Sequence, residues 1–141
     1  MPKIALTELH ALARQALVKA GASAAMAEAD VVSLHVPLLP STRHLLDAAA
    51  IARMKPGAVL INTSRGGIVD EAAVVAALKD GRMGGAAFDV FEREPLPASS
   101  LFQEVPNLLL TPHIAGVTAQ SNQRVSSMIA REVTAFLEQH A

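Results

Sequence analysis

The chain has 141 residues, is half apolar and 18% charged, and carries a formal net charge of −1; that suits one globular domain with a real core. It has no cysteine, which excludes disulfides, zinc–thiolate sites and a cysteine nucleophile, and its Lys and Arg form no basic run, which argues against a nucleic-acid partner. No apolar stretch approaches bilayer-spanning length and the N-terminus lacks the apolar core of a signal peptide, so the expectation is a cytoplasmic protein with no membrane role.

Taken in chain order, Thr7 is positioned to cap a helix carrying Leu9, Leu12, Ala13, Ala16 and Leu17 on one side, with Gly21 as its stop. Ser23 is positioned to cap a second, short helix. Val31–Val36 is short, β-branched and closed by Pro37, which predicts a strand. Asp47 caps a third helix, and Lys55-Pro56-Gly57 is a turn. The pattern repeats: a buried strand over 58–63, a loop, then a helix from Asp70 to about Lys79 with Gly81 as its stop. A third strand is predicted over 84–90, a proline-bearing loop and one helical turn near 99–104 follow, and a fourth strand covers 107–111. Thr118 then caps a long helix whose apolar face is Val125, Met128, Ile129, Val133, Phe136 and Leu137.

Short strands alternating with helices predict right-handed βαβ units and an α/β fold with a parallel sheet of about four strands. Strands that are apolar throughout predict a sheet covered on both faces. Ligands of such sheets bind beyond the carboxyl ends of the strands, which directs attention to HVPLLPST, NTSRGG, DVFEREP and TPHIAG.

Arg65 lies just past the second strand, where a guanidinium can hold a carboxylate through two parallel hydrogen bonds. Gly66 and Gly67 permit a tight turn and close approach of a ligand. His113 follows the fourth strand and is a candidate general acid or base. Glu94, in the loop after the third strand, is a candidate to bond His113 and fix its tautomer. Asp89 directly follows the third strand and could cap a helix or accept a bond from a cofactor amide. Singly, a surface arginine, a loop histidine and a solvated glutamate are the plainer readings. At the mouths of three consecutive strands, however, one group to hold an anion, one to move a proton and one to orient the second form a coherent set. The five histidines show no metal-ligand spacing, and there is no G-x-S-x-G, no Walker loop and no G-x-G-x-x-G.

Three stretches carry a family resemblance: ADVVSLHVPLLPSTRHLLD, MKPGAVLINTSRGGIVDEAAVVAALKDGRMGGAAFDVFEREPL and NLLLTPHIAGVT. From about Ala29 onward the chain resembles the distal nucleotide-binding half of D-2-hydroxyacid dehydrogenases. The resemblance implies a partial Rossmann-like nucleotide-binding and catalytic domain over 30–141 behind an N-terminal helical segment, 1–29. It implies NAD or NADP as cofactor, with hydride passing directly to a small 2-oxo acid and no metal. Arg65 would hold the substrate's carboxylate and 2-oxo group, His113 would exchange a proton with its hydroxyl, and Glu94 would pair with His113. Asp89 would contact the nicotinamide carboxamide; Val36 and Pro37 would lie beside the adenine end, and Thr63 and Gly116 near the nicotinamide, with Arg65 and His113 also against the cofactor.

Residues 3–28 resemble instead the N-terminal helices of type-2 malate/L-lactate dehydrogenases, which places a junction near Glu28–Asp30. The family's glycine fingerprint and substrate domain are not among these residues, so the expected dehydrogenase activity is impaired. Strand 31–36 is expected to present a bare apolar edge, covered either by the N-terminal helices or, the favoured outcome, by a second copy in a homodimer. The alternative function is a non-catalytic α/β module that dimerises or binds a partner.

Overall fold

Short β-branched or apolar runs, each closed by a turn-forming residue, build a five-stranded parallel sheet in this computed structural model, which describes residues 4–7 and 22–140. The strands are β1 (Ile4–Thr7), β2 (Val31–Leu34), β3 (Val59–Asn62), β4 (Gly85–Phe88) and β5 (Leu108–Leu110), adjacent in chain order. The helices are α1 (Ala22–Glu28), α2 (Ala48–Arg53), α3 (Glu71–Lys79) and α4 (Ala119–His140).

Helix boundaries follow local chemistry. The Asp47 carboxylate accepts from Ala50 N at 2.7 Å and starts α2; Asp70 accepts from Ala73 N at 3.1 Å and starts α3. Each such cap contributes about 1 kcal/mol by satisfying an orphan donor. Gly81, at φ 76°, turns the chain out of α3 in the left-handed region that glycine enters without strain. Thr118 Oγ1 accepts from Ser121 N and starts α4 as predicted. Helix α1 begins at Ala22, so Ser23 lies inside it rather than ahead of it.

The register lines up one interior row, Val32–Leu60–Ala86–Leu108, and a second at the carboxyl ends, Leu34–Asn62–Phe88–Leu110. Val32, Leu34, Leu60 and Phe88 are buried, together with Ile51 from α2, Met54 at its C-cap, and Val74 and Leu78 from α3. Phe102 closes this core near the site. Its ring meets Phe88 edge-on at 5.8 Å and Phe91 at 5.6 Å, a geometry that aromatic quadrupoles favour. The segment around Phe102, predicted as a helical turn, forms hydrogen-bonded turns without a helix.

Two expectations are corrected. The edge of β2 is not bare, because β1 pairs with it in parallel from Ile4↔Val31 to Thr7↔Leu34. An exposed strand edge carries a row of unmet backbone donors and acceptors, and the short apolar Ile4-Ala5-Leu6 run satisfies them. The edge argument for a homodimer therefore fails, as does a wholly helical reading of 1–29. The helix predicted beyond Thr7, through Leu9 to Leu17, lies outside the described residues.

The sheet is also not covered equally on its two faces. Every crossover steps the same way along the sheet, and right-handed crossovers that step one way put their helices on one face. Val59, Ile61 and Ala87, pointing to the other face, are only half-buried, and Leu109 is 62% exposed. Helix α4 buries none of its residues among the described ones, and its apolar stripe is open along its length. No described helix is long and apolar enough to cross a membrane.

Candidate active site

The loop after β3 is shaped by Asn62, which is buried in the row at the carboxyl ends of the strands. Its carboxamide accepts from Ser64 N and donates to Arg65 O, both at 3.1 Å. The Ser64 hydroxyl donates to Leu34 O on the neighbouring strand. Arg65 is thereby held at the tip with its side chain exposed. Its Nη1 donates to Ser64 O at 2.6 Å, and among the described residues no carboxylate pairs with it, so most of its donors face outward.

Gly66 presses the arginine loop onto the loop after β4. A Cβ at that position would lie 1.8 Å from Phe91 O and 2.7 Å from Glu92 N, contacts that only a backbone shift relieves. Gly66→Ala is therefore expected to lower the unfolding free energy by about 1–3 kcal/mol, the usual range for overpacking, as read from denaturant midpoints. On the other flank, His44 N donates to Gly67 O at 2.8 Å, and the His44 ring bonds Glu92 Oε1 at 2.8 Å. The loops after β2 and β4 thus grip the arginine loop from both sides. Glu92 N donates in turn to Glu71 at 2.7 Å. Burial raises the Glu71 carboxyl above its ordinary 4.5 despite that bond, and the charges of Glu92, Asp70 and Glu94 push the same way.

Phe91 links this loop to the next group. Its N–H donates to Glu94 Oε1 at 2.9 Å, and Glu94 Oε2 meets His113 Nδ1 at 2.8 Å. One carboxylate oxygen is thus fixed by backbone and the other by the imidazole. The His113 and Glu94 side chains are 50% and 35% exposed, so the pair is reachable from solvent. Beside them opens a cavity of about 590 Å³ lined by Phe91, Glu94, Pro95, Leu96, Pro112 and His113. The hydrogen bond from His113, then the one from Phe91 N, lower the Glu94 carboxyl below its ordinary 4.5.

Asp89, at the end of β4, is 2% exposed. Its carboxylate accepts from Thr111 Oγ1 and Ile114 N (2.9 Å) through one oxygen and from Ala115 N (2.8 Å) through the other. Burial alone would raise its carboxyl above 3.8; the three hydrogen bonds, with His113 nearby, outweigh it and lower it. His113 itself has φ 55° and the Glu94–Pro95 peptide is cis.

These shifts set an acid limb of stability. Asp89 and Glu94 have folded values below their ordinary 3.8 and 4.5. Their contribution is complete above the ordinary values and is lost as pH falls through the depressed ones. Glu71 has the opposite sign, adding stability only below its raised value. Net stability is expected to fall below about pH 4, and Asp89→Asn to flatten that limb in urea titrations at stepped pH.

Of the eight residues singled out in the sequence, Glu94 and His113 are in direct contact, and Asp89 is bonded to the His113 turn. Arg65 is joined to them through Gly66 and Phe91. Pro37, Thr63 and Gly116, in the segments after β2, β3 and β5, are exposed, while Val36 is buried at 7%. A Cβ at Gly116 would meet nothing within 4 Å. Asn62, Thr111, Gly66 and the His44–Glu92 pair were not singled out for these contacts; the Asn-Thr-Ser run, prone to side-chain-capped turns, is the one local signal for the first.

The family model for the D-isomer specific 2-hydroxyacid dehydrogenase NAD-binding domain matches residues 5–115, beginning ahead of the predicted junction. An (S)-sulfolactate dehydrogenase of Chromohalobacter salexigens is 62% identical over 99 residues, covering 70% of this chain and 32% of that protein. A glycerate dehydrogenase of Methylorubrum extorquens is 43% identical over 114 residues, covering 79% and 36%. The crystal structure of an NADPH-dependent glyoxylate/hydroxypyruvate reductase from Sinorhizobium meliloti, in complex with NADP and sulfate, superposes with a TM-score of 0.76 at 34% identity, covering 85% of this chain and 39% of that one. The chain thus spans about a third of the length of the curated relatives it matches. The family model covers most of the chain, which belongs to the D-2-hydroxyacid dehydrogenase family, as part of the NAD-binding domain.

Proposed function

We propose that these residues supply the catalytic groups and the distal part of the cofactor ledge for NAD(P)-linked interconversion of a 2-hydroxy acid and a 2-oxo acid. The observation that carries this is the Glu94–His113 hydrogen bond at the mouth of β4 and β5, coupled through Phe91 to an exposed arginine with no carboxylate partner among the described residues. When bound, the nicotinamide supplies or takes the hydride.

The protein groups do the rest. Arg65 holds the carboxylate and orients the 2-oxo group. His113 donates from Nε2 to the oxygen that becomes hydroxyl and retrieves the proton in oxidation. Glu94 holds Nδ1, which fixes the tautomer and stabilises the charged ring. Pro37, Thr63 and Gly116, exposed past the ends of their strands, are assigned to the cofactor surface, for NAD or NADP. Small acids of the type named in the relatives, such as glyoxylate, hydroxypyruvate or sulfopyruvate, are the substrate class.

The test is NADH or NADPH oxidation with these three acids, comparing wild type with Arg65→Ala and His113→Ala. Turnover abolished in both variants supports the proposal; turnover unchanged in either contradicts its role for that residue. These 141 residues carry no G-x-G-x-x-G, the turn that anchors pyrophosphate in such sheets. Titration calorimetry on this polypeptide is therefore expected to show NADH binding weaker than low micromolar; tighter binding would mean that the anchor is supplied otherwise.

The open stripe of α4, from Val125 to Leu137, favours a second role as a module that pairs with another chain, a second copy being the simplest partner. Sedimentation equilibrium distinguishes it. Dimer formation lost on Ile129→Glu supports pairing through α4, and a monomer at high concentration contradicts it.

A further inference from the structure

We propose that Asp89 is the positioning residue of the His113 turn: its buried carboxylate gathers Thr111, Ile114 and Ala115 and thereby sets the imidazole toward Glu94. The role rests on the proposed function only in that His113 is the proton-transfer group; the geometry of the turn is independent of it.

The chain leaves β5 with Thr111 N bonded to Phe88 O at 2.9 Å, the last rung before the turn. Helix α4 begins eight positions later, at Ala119. Between them the amides of Ile114 and Ala115 have neither a strand nor a helix to donate to. Backbone donors with no strand or helix partner still need an acceptor, and Asp89 accepts from both, one on each oxygen. The Thr111 hydroxyl fills a second site on Oδ1. The residue enclosed between these anchors is His113, at φ 55°. Such a conformation for a side chain with a Cβ persists only where the surroundings over-determine it, and the anchors on either side do so.

The two carboxylates divide the work. Asp89 fixes the two backbone amides that follow the histidine, and Glu94, five residues along the same loop, fixes its ring. Both belong to the segment leaving β4, so shifts of that segment carry backbone and ring together. A carboxylate is required because three donors converge on it. An amide at this position would turn its NH₂ toward a backbone N–H, donor against donor. Oδ2 accepts from Ala115 N alone, so an acceptor site remains on that oxygen and positioning the turn is compatible with a contact to the cofactor.

The experiment is NMR on the full chain without cofactor, following amide exchange at Ile114 and Ala115 and the imidazole ¹⁵N shifts of His113. In Asp89→Ala, exchange at both amides is expected to rise about 100-fold by local opening, with the ring passing from one tautomer to a mixture. Amides of Val32 and Leu60 should remain protected. Asp89→Asn should give an intermediate change. Thr111→Val, which removes only a hydroxyl, should raise exchange by about 10-fold and guards against a variant that fails to fold. Where turnover is measurable, Asp89→Asn should lower kcat at least about 10-fold at saturating NADH. Unchanged exchange and an unchanged tautomer in all three variants overturn the proposal, as does an effect confined to NADH affinity. Absent turnover with the turn disrupted as described overturns the enzymatic function and leaves the positioning role standing.

Discussion

Removing the imidazole in His113→Ala is expected to lower kcat for 2-oxo acid reduction by about 10²–10⁴-fold, the range for losing a positioned general acid, with the KM for the oxo acid changed by only a few-fold. The ring nitrogen that matters is Nε2, because Nδ1 is engaged by Glu94 at 2.8 Å. Glu94 is itself immobilised by Phe91 N at 2.9 Å, so the ring has one orientation rather than a choice of several. Glu94→Gln keeps the shape and an acceptor but loses the charge that stabilises the protonated ring. It should therefore cost about 10–100-fold, less than the loss of the ring. Steady-state kinetics at saturating cofactor check both values. A Glu94→Gln variant as damaged as His113→Ala would mean that the carboxylate itself takes part in proton transfer.

Arg65→Ala is expected to act on the other parameter as strongly. The guanidinium spends one donor on Ser64 O and has no carboxylate partner among the described residues. A bidentate carboxylate would gain two charge-assisted hydrogen bonds, each of about 1.5–3 kcal/mol. Their loss should raise the KM for the oxo acid by about 100-fold or more, and oxamate, a carboxylate-bearing analogue, should lose affinity in parallel. Arg65→Lys should recover only part of it, since an ammonium cannot form the paired bonds. The variant should fold normally, because the side chain is exposed and holds no other element. An oxamate affinity unaffected by Arg65→Ala would place the carboxylate elsewhere.

Much of this site was readable from residue types at the ends of strands. Asp47, Asp70 and Thr118 start their helices as predicted because a cap is a local interaction, decided within three residues. The strands over Val31, Val59, Gly85 and Leu108 were legible for the same reason, each apolar run being cut off by Pro, polar or glycine residues. What escaped was decided at a distance. The pairing of Ile4–Thr7 with β2 joins segments 27 residues apart along the register, and nothing within either segment names its partner. The half-covered second face of the sheet follows from the direction of the crossovers, which periodicity does not encode.

The same division holds within the site. His113, Glu94 and Arg65 were legible as chemistry, yet their coupling runs through backbone: Phe91 N to Glu94, and the Gly66–Phe91 contact that admits no Cβ. Asp89 read as a cap or a cofactor contact, and its three bonds to the segment from Thr111 to Ala115 emerge only when β4 and β5 are side by side.

The central claim is that arginine and histidine serve one bound acid. A crystal structure of this chain with NADH and oxamate tests it most directly. The expected result is the oxamate carboxylate paired with the Arg65 guanidinium and its carbonyl oxygen about 3 Å from His113 Nε2. Oxamate bound at Arg65 with His113 out of hydrogen-bond reach, or bound away from both, would contradict a shared catalytic site.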